Sequence, residues 1–277
     1  MKPAPFTYVR PSTIDEALEF LAASHDGKVI AGGQSLLPLM NFRLARPGLL
    51  IDVGRIPELS EIVIQPTTLE LGAMTRHSRV ELDPTIASAH PLLSFAASQI
   101  GHRAIRNHGT IGGSIAHADA AAEYPAVLTA VSGSVTTRSP RGERTVPAND
   151  LFIGHYATDL AEDEIIIRVT VPRVSPGQRW GFFESSRRPG DFAESGAVAL
   201  VTTGADRYDI RVVTFATTSR PVAIEISSGP ADVDRSLVSA VIEHTSTLDE
   251  RERDLTVVAV RRAVGMALNG VSKGGAR

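Results

Sequence analysis

Cysteine is absent from this sequence of 277 residues. Without a thiol, the chain cannot form a disulfide, hold an iron–sulfur cluster, build a cysteine zinc site or use a cysteine nucleophile. Lysine is scarce as well, because only Lys2, Lys28 and Lys273 contribute to the 28 basic residues. No apolar run approaches the ~18–20 residues that span a bilayer, and the first residues lack the apolar core of a signal peptide. We therefore expect a cytoplasmic protein without a membrane span, whose partners supply any cysteine chemistry.

A large excess of charge of one sign is also missing, since the chain has 28 basic and 31 acidic residues and a formal net charge of −3. This balance gives no electrostatic footprint for nucleic acid or for an anionic membrane surface. The hydrophobic content of 43% is enough for a sizeable core. The length favours about two domains.

Hydrophobic patterning predicts a small α/β unit at the start of the chain. A helix should begin after Thr13, and strands at residues 28–31 and 49–53 should enclose the first glycine pair. From residue 62, short alternating segments indicate antiparallel strands around helices at 78–82, 92–100 and 120–131. The proline- and glycine-containing run at 172–177 is typical of a linker.

These patterns predict an α+β protein with two domains. We expect a first domain at 1–175, with subdomains of about 1–55 and 56–175, and a C-terminal α+β domain at 176–277 with a small antiparallel sheet. Residues 197–203, 210–217 and 222–226 are its predicted strands, and residues 233–242 and 256–268 are its predicted helices.

Two segments combine a Gly-Gly pair with hydroxyl or amide side chains. The first loop is Ala31-Gly32-Gly33-Gln34-Ser35-Leu36, and the second is Gly109-Thr110-Ile111-Gly112-Gly113-Ser114. Glycine lets backbone N–H groups approach an anion closely, and successive N–H groups can form a nest for phosphate oxygens. Either pair alone is more typical of a tight turn, and neither fits G-x-G-x-x-G or the P-loop pattern. Together the two loops could clamp a pyrophosphate from both sides.

The order and spacing of these motifs resemble the FAD-binding medium subunit of the molybdenum hydroxylases, the family of carbon monoxide dehydrogenase and xanthine dehydrogenase. Members of that family carry A-G-G-[HQN]-S and, later in the chain, R-N-x-G-T-I-G-G-[NS], as residues 31–35 and 106–114 do here. The resemblance continues through residues 115–125, 163–166 and 187–193. It therefore covers essentially the whole chain.

The resemblance implies non-covalent FAD with its diphosphate between the two loops. The implied contacts are Ala31, Gly32, Gly33, Gln34, Ser35 and Leu36 from the first loop and Thr110, Ile111, Gly112, Gly113 and Ser114 from the second. Asp119 and Glu123 occupy acidic positions where carboxylates can accept hydrogen bonds from ribose hydroxyls, and Ile166 matches an aliphatic position near the isoalloxazine. No catalytic acid or base and no metal ligand is implied.

Glu184 departs from the family pattern, which often has a lysine at this position. A lysine near the flavin can stabilise an anionic reduced ring, and a glutamate would do the opposite. The neighbouring motif Arg187–Ala193 is expected to form a functional loop near the flavin. Three histidines lie at or beside the second loop, namely His102, His108 and His117. Because the sequence has no H-E-x-x-H pattern, we expect them to be loop histidines rather than zinc ligands.

By resemblance, the fold is a two-part FAD domain of the vanillyl-alcohol-oxidase (PCMH) type followed by a CO-dehydrogenase-flavoprotein-like domain. The implied function is electron transfer in a heterotrimeric molybdenum hydroxylase, in which a large subunit holds molybdopterin and a small subunit holds two [2Fe–2S] clusters. We expect a dimer of heterotrimers, and residues 114–119 favour a hydroxylase of N-heterocycles or aldehydes. The alternatives are a stand-alone FAD oxidoreductase with its own substrate pocket and a nucleotide-binding or scaffolding module without flavin.

Overall fold

The computed structural model describes residues 2–175 and 177–270 of the chain. The first elements form a three-stranded parallel sheet with a helix in each connection, and they are β1 (Thr7–Val9), α1 (Ile14–Ala22), β2 (Gly27–Ile30), α2 (Leu36–Asn41) and β3 (Leu49–Asp52). Strand β3 lies in the centre and pairs in parallel with β1 and β2. The carboxyl ends of the three strands meet at one edge, so the first glycine loop leaves β2 beside the end of β3.

Helix α1 forms where the sequence predicts it. The Thr13 hydroxyl caps it by accepting a hydrogen bond from the N–H of Glu16, and Asp15 and Glu16 lie in its first turn. Its buried face, which includes Ile14, Leu18 and Leu21, belongs to the hydrophobic core. This packing fixes the parallel sheet that carries the first loop.

The middle of the chain builds an antiparallel sheet of five strands with helices around it. After a 3-10 helix (Pro57–Ser60), its elements are β4 (Ile62–Ile64), β5 (Thr68–Gly72), α3 (His77–Leu82), α4 (Pro84–Ala89), α5 (Pro91–Gln99), α6 (Arg103–Arg106), α7 (Ile111–His117), α8 (Glu123–Ala130), β6 (Ser134–Ser139), β7 (Gly142–Pro147), α9 (Ala148–Leu151), β8 (Phe152–Gly154), β9 (Ala157–Thr158) and β10 (Ile165–Pro172). The sheet order is β4-β5-β10-β6-β7, and β8 and β9 form a separate hairpin.

The last part of the chain is a four-stranded antiparallel meander covered by two helices. It consists of β11 (Gln178–Ser185), β12 (Ser195–Thr203), β13 (Tyr208–Phe215), β14 (Val222–Ser228), α10 (Val233–His244) and α11 (Glu250–Asn269). Residues such as Ala199, Val212 and Val264 form a core between sheet and helices. Phe182 and Phe215 belong instead to the large core of the preceding part.

Three helices differ from the sequence expectation. The helix predicted at 120–131 is α8, which begins only at Glu123, and the second glycine pair is not a loop but lies in α7. Helix α11 begins six residues before the predicted residue 256, because Asp249 and Glu252 form a capping box ahead of a charged first turn. Hydrophobic periodicity cannot detect a helical turn that contains no apolar residues. Among the described residues, none of the helices has the length and apolar character to cross a bilayer.

Gly181 generates a prediction about how α11 packs on the meander. A methyl group on Gly181 would lie 1.9 Å from the carbonyl oxygen of Ala263 in α11, a contact that requires backbone movement. We expect Gly181→Ala to lower the free energy of unfolding by about 3 kcal/mol in chemical denaturation.

The matched control lies in α11, the helix that packs against Gly181. Among the described residues, apart from the adjacent backbone of its own helix, no atom lies within 4 Å of the would-be methyl group of Gly265, so Gly265→Ala should raise the free energy of unfolding by about 0.5–1 kcal/mol. Equal effects of the two substitutions would contradict the close approach of α11 to β11.

Candidate functional site

The two glycine loops, far apart in sequence, touch each other. A methyl group on Gly32 would lie 2.2 Å from the carbonyl oxygen of His108 and 2.7 Å from the Cα of Gly109. No side chain fits at residue 32, so glycine here permits direct backbone contact between the loops. The structure thus brings the two predicted segments into one site.

Free backbone donors distinguish the first loop. In the described part of the chain, the backbone N–H groups of residues 32–35 donate no hydrogen bond. Gly32, Gly33 and Gln34 are partly buried and Ser35 is exposed. Gly33 has φ +70°, a left-handed conformation that allows successive N–H groups to converge. Four consecutive free donors ahead of α2 form a nest with the polarity to bind an anion.

Backbone donors of the second loop are already used within the protein. The N–H of Ile111 donates to the carbonyl of Thr75 (3.0 Å), and that of Gly112 donates to the carbonyl of Ala73 (2.9 Å). The N–H groups of Gly113 and Ser114 donate to the hydroxyl and the carbonyl of Thr110 (3.2 and 3.0 Å). The two loops therefore differ in the backbone N–H groups that remain free to bind an anion. The second loop instead offers a glycine backbone that a ligand can approach closely, together with the Ser114 hydroxyl.

The glycines of the second pair serve different purposes. A methyl group on Gly112 would lie 2.5 Å from the Cβ of Ala73, so Gly112 is needed for packing beneath α7. A methyl group on Gly113 would meet only the Thr110 hydroxyl at 2.9 Å and, at 3.6 Å, the Cβ of Ala31 in the first loop. Gly113 is therefore the member of the pair that faces the first loop.

Sequence reasoning missed His77, which supports the second loop from beneath. The backbone N–H of His77 donates to the carbonyl of Gly109 (3.0 Å), and a methyl group on Gly109 would lie 2.5 Å from the ring atom His77 Nε2. Burial, with a smaller effect of the Arg106 charge, lowers the pKa of His77 to about 4. The ring stays neutral at neutral pH and packs on Tyr124, with ring centroids 5.3 Å apart. A lone histidine carries no sequence signal for this role.

Asp119 is buried where α7 ends. Its carboxylate accepts hydrogen bonds from the N–H of Ala121 (2.9 Å) and from the hydroxyl of Tyr156 (3.2 Å). Tyr156 has φ +55° in the β8–β9 turn and also packs on His117, with ring centroids 4.8 Å apart. Burial and the Asp119 charge raise the pKa of Tyr156. Asp119 thus links α7 to this hairpin, a role that its sequence motif does not reveal.

Glu123 and Glu184 form an acidic pair at the start of α8. Burial first, and then the charges of Glu184 and Asp119, raise the pKa of Glu123 to about 8. Burial raises the pKa of Glu184 to about 7, and its Oε2 has no hydrogen-bond partner in the described chain. Among the described residues, neither carboxyl group forms an ion pair, and the raised pKa values favour a proton on the pair near neutral pH.

Ile166 and the loop after β11 complete the set of predicted residues. Ile166 is buried beside a register shift in β10, where the carbonyl of Ile167 accepts from the N–H of Ala73 (3.0 Å). In the later loop, a methyl group on Gly190 would lie 2.3 Å from the His102 ring. The motif that contains Gly190 therefore contacts the segment leading to the second loop.

The acidic pair predicts an unusual dependence of stability on pH. Since both folded-state pKa values are raised, the folded protein binds more protons than the unfolded chain. Stability from the pair is fully present below about pH 4.5, the ordinary pKa of a glutamate, and is lost progressively until pH passes the folded-state pKa values of about 7 and 8. We expect Glu184→Gln to exceed the wild type in free energy of unfolding by at least about 1 kcal/mol at alkaline pH, and to match it at acidic pH.

Glu143 provides the control for that measurement. It is exposed on β7, so Glu143→Gln should leave the pH profile of unfolding unchanged. A wild-type profile that is parallel to that of Glu184→Gln at every pH would show that folding does not raise the pKa of Glu184.

Comparisons with known proteins agree with this architecture. Residues 4–174 match the family described as the FAD binding domain in molybdopterin dehydrogenase. The chain is 47% identical over 203 residues to the 6-hydroxypseudooxynicotine dehydrogenase complex subunit alpha of Paenarthrobacter nicotinovorans, which covers 73% of this chain and 69% of that protein. It is 36% identical to the caffeine dehydrogenase subunit beta of Pseudomonas sp. (strain CBB1), with 96% of each chain covered.

A solved structure shows the same fold. A chain of carbon monoxide dehydrogenase from Hydrogenophaga pseudoflava superposes with a TM-score of 0.91 at 31% identity, covering 97% of this chain and 99% of that chain. The mixed α/β fold and the expectation of an FAD-binding oxidoreductase subunit are thereby confirmed. This chain belongs to the family of FAD-binding domains of the molybdopterin dehydrogenases.

Proposed function

We propose that this chain is the electron-transfer subunit of a heterotrimeric molybdenum hydroxylase, in which it accepts electrons from the [2Fe–2S] clusters of a small subunit. The large subunit of the complex would hold molybdopterin and oxidise the substrate. Bound FAD can take up electrons singly and deliver them in pairs, which suits it to connect one-electron clusters with a two-electron acceptor. The absence of cysteine from this chain fits the same division of labour.

The observation that carries the proposal is the run of four free N–H groups at residues 32–35. A diphosphate supplies acceptors for such donors, and the nearby N-terminus of α2 adds favourable polarity. The set of FAD contacts proposed from the sequence is retained, with different tasks for the two loops. The first loop donates hydrogen bonds to the diphosphate, and the second presents its glycine backbone against the opposite side.

The remaining contacts position the rest of the cofactor. Asp119 follows α7 and Glu123 is the first residue of α8, and in these positions their carboxyl groups can bind ribose hydroxyls. Ile166 supplies apolar packing for the ring system. In this arrangement the chain's residues bind and orient the cofactor, and none acts as a general acid or base.

The division of the chain into subdomains and domains is part of the same proposal. The three-stranded parallel sheet and the five-stranded antiparallel sheet correspond to the two parts expected of a PCMH-type FAD domain. Strand β10 ends at Pro172 and β11 begins at Gln178, which supports a domain boundary near residue 175. The family match over residues 4–174 supports the same boundary. We place the assembly, a dimer of heterotrimers, in the cytoplasm.

The substrate of the complex is proposed to be an N-heterocycle. The names of two relatives, a caffeine dehydrogenase subunit and a nicotine 6-hydroxylase medium subunit, refer to compounds with nitrogen-containing rings. Such a substrate would bind on the large subunit. The stand-alone oxidoreductase considered from the sequence is not supported, because these relatives are subunits of larger enzymes.

Substitutions in the glycine loops test the binding site. Gly33→Val forces a β-branched residue into a left-handed backbone, and Gly113→Val places methyl groups between the loops. We expect each variant to bind FAD at least tenfold more weakly, a cost of about 1.4 kcal/mol or more. Flavin absorbance and fluorescence titration of the purified chain measure this effect.

Gly229→Val is the matched control, because a methyl group there would have only one neighbour, the carbonyl oxygen of Asp206 at 3.7 Å. It should bind FAD like the wild type, and circular dichroism should show that all three variants are folded. Stoichiometric FAD in both loop variants would place the site elsewhere.

Electron transfer is tested in the whole complex. Co-expressed with its iron–sulfur and molybdopterin subunits, the chain should lose its oxidised-flavin absorbance when an N-heterocyclic substrate is added without oxygen. The isolated chain with FAD should show no such change. Reduction of the isolated chain by substrate would contradict the subunit role.

A further inference from the structure

Strand β10 contains an irregularity near its start. Ile166 pairs with Thr137 of β6, and the next pair begins at Arg168, so Ile167 is an extra residue without a partner in β6. An insertion of this kind bends the strand and redirects the side chains on either side of it. The register of β10 therefore decides where Ile166 and Ile167 lie.

Two hydrogen bonds connect this irregularity to the second glycine pair. The carbonyl of Ile167 accepts from the N–H of Ala73, and the carbonyl of Ala73 accepts from the N–H of Gly112 (3.0 and 2.9 Å). Because the would-be methyl group of Gly112 lies 2.5 Å from the Cβ of Ala73, the two backbones are in direct contact. A displacement of β10 at Ile167 must therefore displace Gly112 as well.

Glu164 immediately precedes β10, and its buried carboxylate accepts four hydrogen bonds. Oε1 accepts from the Thr137 hydroxyl and from Arg144 Nε, both at 2.6 Å. Oε2 accepts from Arg144 Nη2 (2.7 Å) and from the N–H of Ala161 (2.9 Å). The side chain is only 3% exposed. Charge-assisted bonds of this number hold both the carboxylate and its donors in one geometry.

The donors keep this carboxylate charged. The hydrogen bonds from Arg144, together with those from Thr137 and Ala161, outweigh burial and lower the pKa of Glu164 to about 2. An amide of the same shape would present an NH₂ group to donors on one side or the other. Two of the four donors would then face another donor, which is costly in a buried place.

Thr137 connects the carboxylate to the irregularity itself. Thr137 is fully buried, its hydroxyl donates to Glu164, and its backbone pairs with Ile166 in the last regular pair before the register shifts. On its other side, Thr137 pairs with Arg144 of β7. One carboxylate thus joins the start of β10 to both β6 and β7 at the point where the register changes.

We propose that Glu164 is a positioning residue for FAD binding, which fixes the register shift in β10 and thereby the places of Ile166 and the Gly112 backbone. The inference rests on the proposed function, since Ile166 and Gly112 are contacts of the proposed FAD site. Glu164 acts through β10 and is not itself a contact of the cofactor. A carboxylate that only stabilised the sheet would not alter FAD affinity when removed from a folded chain.

Glu164→Gln tests this role in the purified full chain. We expect the dissociation constant for FAD to rise at least about tenfold in fluorescence titration, while circular dichroism shows a folded protein. Without FAD, amide hydrogen exchange should accelerate at Ala73 and Gly112, whose hydrogen bonds depend on the irregularity, and stay unchanged in β12. This local pattern separates positioning from a general loss of stability.

Asp163→Asn is the matched control. Asp163 is adjacent to Glu164 and also forms a two-fold ion pair with an arginine, Arg141 (2.6 and 2.8 Å), but on the surface. Its loss should leave both FAD affinity and exchange at Ala73 and Gly112 unchanged. Val260→Ala removes buried methyl groups from α11 and controls for lower stability, so it should bind FAD like the wild type.

Thr137→Val is a second test, which decides the matter if Glu164→Gln does not fold. It preserves the shape of the buried side chain and removes the hydroxyl that donates to Glu164. We expect the dissociation constant for FAD to rise about threefold or more, in line with the loss of one hydrogen bond to a charged group.

The two levels of inference fail differently. A wild-type chain that binds no FAD would contradict the proposed function. With FAD bound by the wild type, unchanged affinity in folded Glu164→Gln or, failing that, in Thr137→Val would overturn the positioning role. An equal loss of affinity in Asp163→Asn or Val260→Ala would overturn it as well.

Discussion

The site depends on one contact, the approach of Gly32 to the carbonyl of His108. It joins a loop at the edge of the parallel sheet to a loop supported by the antiparallel sheet, and a single methyl group would prevent it. The second loop cannot easily yield, because Ile111 and Gly112 are bonded to Thr75 and Ala73, and Ala73 is bonded in turn to Ile167. Loop geometry is therefore fixed by the sheets, and the free donors of the first loop are held in place against a rigid neighbour.

Sequence patterns predicted the regular elements well wherever an apolar face marked them. Helix α1 and the strands β2, β3 and β12 lie within a few residues of their expected positions. The two glycine-containing segments lie in contact, and their joint binding of FAD stays a prediction. Periodicity failed at the charged first turn of α11 and at α7, whose glycines suggested a loop. In both cases the helix is stabilised by caps and tertiary packing, which leave little trace in hydrophobicity.

The chemistry of the site was less predictable than its position. The two Gly-Gly motifs look alike in sequence, but the structure leaves N–H donors free in the first loop and uses them in the second. The distinction depends on which carbonyl groups lie nearby, and those belong to residues 73 and 75, distant in sequence. The proximity of Glu123 and Glu184 and the support from His77 are likewise products of folding. A resemblance to a family can assign such residues to the site, but it does not identify their hydrogen-bond partners.

The central claim is that the first loop binds the FAD diphosphate through its backbone, and amide hydrogen exchange measures this directly. Adding FAD to the full chain should slow exchange at residues 32–35, because free donors acquire acceptors. Exchange at residues 111–114 should change little, since these N–H groups already donate within the protein. Protection confined to the second loop, with none in the first, would contradict the account.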